Sequence, residues 1–129
     1  SVTAATIASD MVIAPLDPDD YAIDGVKFCL QEVNKINTEY DLNIDFKILL
    51  NKYDARTILS GDIVTLLQDS NNYKKYLFQT IISVSQEFTN SKARKETIFC
   101  SLRQGKACKD IDSLSREILG WPMPKERGE

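Results

Sequence analysis

Short apolar runs that alternate with long amphipathic stretches constrain this chain more than any other feature. "DMVIAPL" (10–16), closed by Pro15 and Pro18, reads as a strand buried on both faces. In "DDYAIDGVKFCLQEVNKINTEY" the residues Ala22, Val26, Cys29, Leu30, Val33 and Ile36 recur at helical spacing. Asp19 or Asp20 is placed to cap that helix. Ile44 to Leu50 reads as a second strand, alternating at first and then continuous. "NKYDART" follows as a loop, then a helix near 58–70 with Ile63, Val64, Leu66 and Leu67 on its buried side. "KYLFQTIIS" (75–83) is a third strand, and "VSQEFTNSKARKET" a polar loop or short helix. After a small apolar piece at 97–99, a last helix over about 107–119 carries Cys108, Ile111, Leu114, Ile118 and Leu119 on one face. Trp121, Pro122 and Pro124 end it, and "KERGE" reads as a solvated tail.

Strands alternating with helices predict an α/β fold with a mostly parallel sheet flanked by helices. At 129 residues this is the length of one ordinary domain. A three-stranded parallel sheet is narrow and leaves unpaired edges. "SVTAATIASD" reads as the end of a helix without a start signal. The expectation is therefore the second half of a larger unit.

Composition removes several chemistries. The chain has no histidine, so Ser-His-Asp and Cys-His catalysis are excluded. The three cysteines, Cys29, Cys100 and Cys108, form no C-x-x-C pair, which argues against a zinc site and for reduced thiols in a cytosolic protein. Cys29 and Cys108 fall on apolar helix faces and are expected in the core. No apolar run approaches the length of a membrane span, and the first residues lack the pattern of a signal peptide. With 16 basic and 19 acidic residues the formal charge is −3, against a uniformly nucleic-acid-coating surface.

Two stretches carry candidate chemistry. Asn51, Lys52 and Asp54 have the N-K-x-D spacing of purine-reading loops, at a strand's carboxyl end where open α/β sheets bind ligands. An amide at Asn51 matches the donor and acceptor pattern of a base edge, although Asn, Lys and Asp are also ordinary turn formers. Asp54 and Arg56 are expected to form a local pair; Tyr53 either packs on a base or covers the helix below. Pro15, Asp17 and Asp20 have turn and cap roles by default. The second stretch, 91–109, holds Lys92, Arg94, Lys95, Arg103, Lys106 and Lys109 against Glu96. It is either a phosphate-contacting face or a solvated one.

The order of the segments resembles the C-terminal half of the ParA/Soj family of deviant-Walker partition ATPases, relatives of MinD. "ASDMVIAPLDPDDYAIDG" is similar to the family's block after the Walker B strand, and "KILLNKYDARTILS" to the block where a strand ends and D-x-R-T follows. "YLFQTII" resembles its T-x-I strand, and "GKACKDIDSLSREIL" its closing helix. The resemblance runs from about Ala8 to Leu119 and implies that residues 1–129 form the C-terminal portion of a P-loop NTPase-type sheet. It implies ATP and Mg²⁺ in the intact protein, with Asn51 at adenine and Lys52, Asp54 and Ser83 around the nucleotide. It implies non-specific DNA contacts at Lys74, Arg103 and Lys106, a homodimer, a ParB-like adaptor, and a place on the bacterial nucleoid in the cytoplasm. The family's phosphate loop and Walker B aspartate lie upstream of the matching blocks, so this chain alone is expected to be inactive and to hold no nucleotide tightly. Two positions depart from the pattern: Ser83 stands where the family commonly has proline, and "LRQGKAC" where it has R-S-R-G-A. The alternative is a self-sufficient interaction module that assembles through its sheet edge. A small GTP-binding protein is disfavoured, because a G domain also needs its phosphate loop.

Overall fold

A computed structural model describes residues 2–19, 21–100 and 105–123. Helix α1 (Val2–Ile7) leads into β1 (Met11–Leu16), α2 (Ala22–Tyr40), β2 (Asp45–Tyr53) and α3 (Ile58–Asp69). A 3-10 turn at Lys74–Tyr76 then precedes β3 (Leu77–Ser83) and α4 (Gln86–Ala93). A second such turn, Ile98–Cys100, comes before α5 (Lys106–Leu119). The three strands pair in parallel in the order β1-β2-β3, and helices flank them. The chain is an α/β fold with a parallel sheet.

Successive right-handed crossovers that move the same way across a sheet place their helices on the same face. Accordingly α2 and α3 share one side. There Val26, Val33 and Ile36 of α2 and Ile63 and Leu67 of α3 pack against Phe46, Ile48 and Leu50 of β2. Ile48 and Leu67 are wholly buried, so truncating either to alanine should cost about 2–5 kcal/mol. The opposite side holds a smaller cluster, in which Leu49, Phe78 and Ile82 meet Phe88 of α4 and Ile111 and Leu114 of α5.

That asymmetry corrects the expectation for β1. Ile13 and Pro15 are exposed, so the strand is not buried on both faces. Proline is tolerated there because β1 is an edge strand. In α3 the inward stripe is Ser60, Ile63 and Leu67, which turns Leu66 outward to 49 % exposure. Asp19 does not cap α2. Tyr21 is the N-cap residue, and Asp19 Oδ1 accepts from the Tyr21 N–H at 2.9 Å; Asp20 lies outside the described residues.

At the far end of α2, Asp41 takes a left-handed conformation (φ 51°) and its N–H returns to the Asn37 carbonyl. The Asn37 side chain then donates to the Ile44 carbonyl at 3.1 Å and accepts the Ile44 N–H at 2.9 Å. One amide thus stands in for a neighbouring strand and aligns the start of β2.

Candidate functional site

The carboxyl ends of the three strands form one rim. Strand β2 runs farther than its apolar pattern indicates, through Asn51, Lys52 and Tyr53. Tyr53 pairs with Ser83, and its carbonyl accepts the Val84 N–H at 2.9 Å. The pairing is irregular between Leu50 and Tyr53, and within that irregularity Lys52 adopts a left-handed backbone (φ 52°). Such a conformation is disfavoured for a side chain with a Cβ and is found where a strand bulges. Lys52 Nζ reaches the Asp17 carboxylate just beyond β1, at 3.4 Å, with both side chains largely open to solvent.

Between this rim and α4 and α5 lies a cleft of about 470 Å³. Its floor is apolar: Leu49 and Ile82 from the sheet, Phe88 from α4, Ile111 and Leu114 from α5. Neutral polar groups border it at Asn51, Ser83, Ser85, Gln86 and Thr89, and Lys52 is the one charged lining residue among those described. Ser85 also starts α4, its hydroxyl accepting the Glu87 N–H at 3.2 Å. The cleft therefore brings together Asn51 and Lys52 with Ser83, the position that only the family resemblance had placed beside them. An apolar slot bordered by amides and hydroxyls suits a planar heterocycle.

Asp54 is placed elsewhere. It does not line the cleft, and its carboxylate accepts from Arg56 Nε and Nη2, both at 2.9 Å, and from the Arg56 backbone N–H at 3.0 Å. These bonds to Arg56 hold the Asp54 pKa down to about 2. The Asp54 carbonyl accepts from the Thr57 N–H and hydroxyl, both at 3.0 Å, and Thr57 Oγ1 accepts the Ser60 N–H that begins α3. D-x-R-T is thus a self-contained turn into a capped helix.

Two side chains that sequence reasoning missed are on α5. Asp110, 4 % exposed, accepts the Ser83 N–H at 2.9 Å through Oδ2 and pairs with Lys106 at 2.9 Å through Oδ1. Two turns on, Glu117 accepts the adjacent backbone N–H groups of Gln79 and Thr80, at 2.8 and 2.9 Å, and the Thr80 hydroxyl at 2.8 Å. Adjacent N–H groups of a regular strand point to opposite edges. Here both reach one carboxylate, within an irregular stretch of pairing between Ile48 and Leu50 of β2. Helix α5 thereby lies antiparallel along β3 and shields donors that would otherwise invite another strand. The available signal was spacing: two acids at i and i+7 on the same side as Ile111 and Leu114.

Among the described residues, Lys74 and Lys106 do not share one patch. Lys74 precedes β3, whereas Lys106, through Asp110, stands level with Ser83 at the other end of that strand. The seven residues of β3 put roughly 20 Å between those ends. Lys106 is paired, and Lys75 sits over the Tyr76 ring at 5.1 Å. Lys92, Arg94 and Lys95 are exposed near the end of α4, without ion pairs among the described residues. Arg103 lies outside the described residues.

Among the described residues no three metal-ligating side chains lie together. None of the helices in the described residues is long and apolar enough to cross a membrane. No protein-family model matches the chain, and a search of curated proteins finds no match.

Proposed function

We propose that the chain is the base-binding half of a ParA-type partition ATPase, with the cleft between β2, β3, α4 and α5 taking the adenine of ATP. One observation carries this reading: Asn51 and Lys52 on one strand and Ser83 on another, far apart in sequence, border a single apolar slot at the strands' carboxyl ends. Asn51 would read the base edge, and Asp54 would act by shaping the turn that follows. Hydrolysis belongs to groups this chain lacks, a phosphate-cradling loop with its lysine and an aspartate for Mg²⁺. The reading requires them elsewhere in the gene product. In that whole protein, a bacterial cytoplasmic homodimer, Lys74, Arg103 and Lys106 would contribute non-specific DNA contacts, and a ParB-like adaptor would trigger hydrolysis.

The test uses the complete natural gene product. It should bind duplex DNA without sequence preference when ATP is present, and Asn51→Ala should weaken ATP binding about tenfold, the loss expected of one good base-edge contact. A complete product of 14.6 kDa that binds neither ATP nor DNA would sink the proposal.

A second reading has its own observation. Strand β1 is an edge strand on which Ile13 and Pro15 are exposed, whereas the β3 edge is shielded by Glu117 and Asp110. An interaction module would use the β1 edge. Sedimentation of the chain separates the two in part, since a compact monomer counts against an edge that needs a partner.

A further inference from the structure

Helix α4 forms one wall of the cleft, lining it with Gln86, Phe88 and Thr89, yet none of its residues is buried. Its half-buried side chains are Glu87, Phe88 and Ser91, and the others are exposed. Phe88 lays the apolar contact of α4 on the Leu49, Phe78 and Ile82 cluster. Eight residues are too few to form a stable helix unaided, so α4 depends on how it is docked. Both of its ends are nonetheless closed by its own residues. Ser85 accepts the Glu87 N–H at the start. At the finish Lys95 takes a left-handed backbone (φ 57°), its N–H returns to the Lys92 carbonyl at 3.1 Å, and the Glu96 N–H returns to the Ser91 carbonyl at 3.0 Å. The strand before α4 stays anchored as far as Val84, whose N–H reaches the Tyr53 carbonyl.

A second contact fixes this wall from the side. The Glu87 carboxylate stands against Gly105, where an added Cβ would collide with it. Gly105 is the N-cap residue of α5 and supplies no side-chain cap, and the first turn of α5 carries no acid of its own. Glu87 therefore brings the negative charge that the positive end of α5 favours. Its charge is also felt within that turn: after burial and Asp112, Glu87 is a further cause that pushes the Cys108 thiol up.

We infer that α4 is a hinged lid over the cleft, held shut by Phe88 on the apolar floor and by Glu87 at the start of α5, and that it swings as a unit between pivots at Val84 and Lys95. Opening lifts Phe88 off Leu49 and Ile82 and bares the floor, so α4 governs when the cleft admits a ligand. The inference concerns access and holds whether or not that ligand is a nucleotide. Gly105 is part of the device, because a residue without a Cβ leaves room for the latching carboxylate.

The experiment is native-state amide exchange read by NMR on the 129-residue chain. The amides from Asn90 to Arg94 should share one opening equilibrium and exchange about a hundredfold faster than those of Ile48 and Leu50, as a locally opening unit does. Gly105→Ala should displace the Glu87 carboxylate, the movable end of a flexible side chain, and speed exchange across α4 about threefold, the effect of one charge at a helix N-terminus. A soluble nitroxide should then relax the Ile82 and Leu114 methyl groups more strongly. Glu87→Ala removes the latch together with the acid in the first turn of α4, and should speed α4 exchange by more. In that background Gly105→Ala should leave α4 exchange where it was, because no carboxylate remains to evict. Exchange of α4 at the rate of β2 would overturn the inference, since the helix would then open only with the whole chain. Equal acceleration by Gly105→Ala with and without Glu87 would also overturn it, by tracing the effect to the start of α5 alone. So would methyl groups that stay unrelaxed while α4 exchange rises, because the helix would then fray in place without uncovering the cleft.

Discussion

Removing the Glu117 carboxylate tests the central structural claim, that α5 satisfies the exposed edge of β3. In Glu117→Ala three donors lose their acceptor: the Gln79 N–H, the Thr80 N–H and the Thr80 hydroxyl. The Gln79 N–H is solvent-exposed and finds water, so its loss costs little. The two Thr80 donors are part-buried on a residue only 8 % exposed, and each costs about 1–3 kcal/mol when left without a partner. Partial entry of water lowers the sum to about 3 kcal/mol. For a chain this size a urea m-value near 1.5 kcal/mol/M turns that loss into a midpoint about 2 M lower. Glu117→Gln keeps one acceptor but turns an amide NH₂ toward a donor, and should lose about half as much. The assay is urea unfolding followed by circular dichroism, with amide exchange to locate the effect at Gln79 and Thr80. A double-mutant cycle with Thr80→Val should give a coupling of about 1 kcal/mol. A Glu117→Ala midpoint within 0.3 M of the unaltered chain, with Thr80 still protected, would refute the edge-shielding argument.

The Asp54–Arg56 pair gives a pH prediction of definite sign. A carboxyl whose pKa falls from 3.8 to about 2 on folding contributes stability above pH 3.8, lost as pH drops through about 2. Carboxyl NMR should find Asp54 titrating near 2, and Arg56→Ala should return it close to 3.8, with little change in unfolding midpoint because the Arg56 side chain is exposed. The cysteines report the docking of α5. Cys100 is exposed, Cys29 half-buried and Cys108 buried, where desolvation and the charges of Asp112 and Glu87 push its thiol pKa up. A thiol reagent should therefore modify Cys100 first and reach Cys108 only on unfolding; equal rates at the two would mean that α5 does not pack as described.

Periodicity made the architecture legible, because a two-residue period and a 3.6-residue period bury different sets of side chains. Ile48 and Phe46 in β2, Val26, Val33 and Ile36 in α2, and Cys108 in α5 are all buried where the pattern puts them. The end of β2 was less legible. Asn51 and Lys52 carry turn-forming side chains, yet they remain in the strand because Ser83 and Val84 of β3 offer partners there. The last turn of α5 misled for a related reason. Glu117 holds the inward position through its bonds to β3, which turns Ile118 and Leu119 away to 42 % and 58 % exposure.

By itself, the sequence determined the succession of elements, the parallel α/β class and the placing of Asn51 and Lys52 at a strand's carboxyl end, since local periods and strand polarity decide all three. Only the tertiary structure decided that Ser83 joins them while Asp54 turns away to Arg56, and that Lys74 and Lys106 stand at opposite ends of β3. Those outcomes depend on which strand lies beside which and on where α5 docks. These are contacts between residues distant in the chain, and no local pattern encodes them.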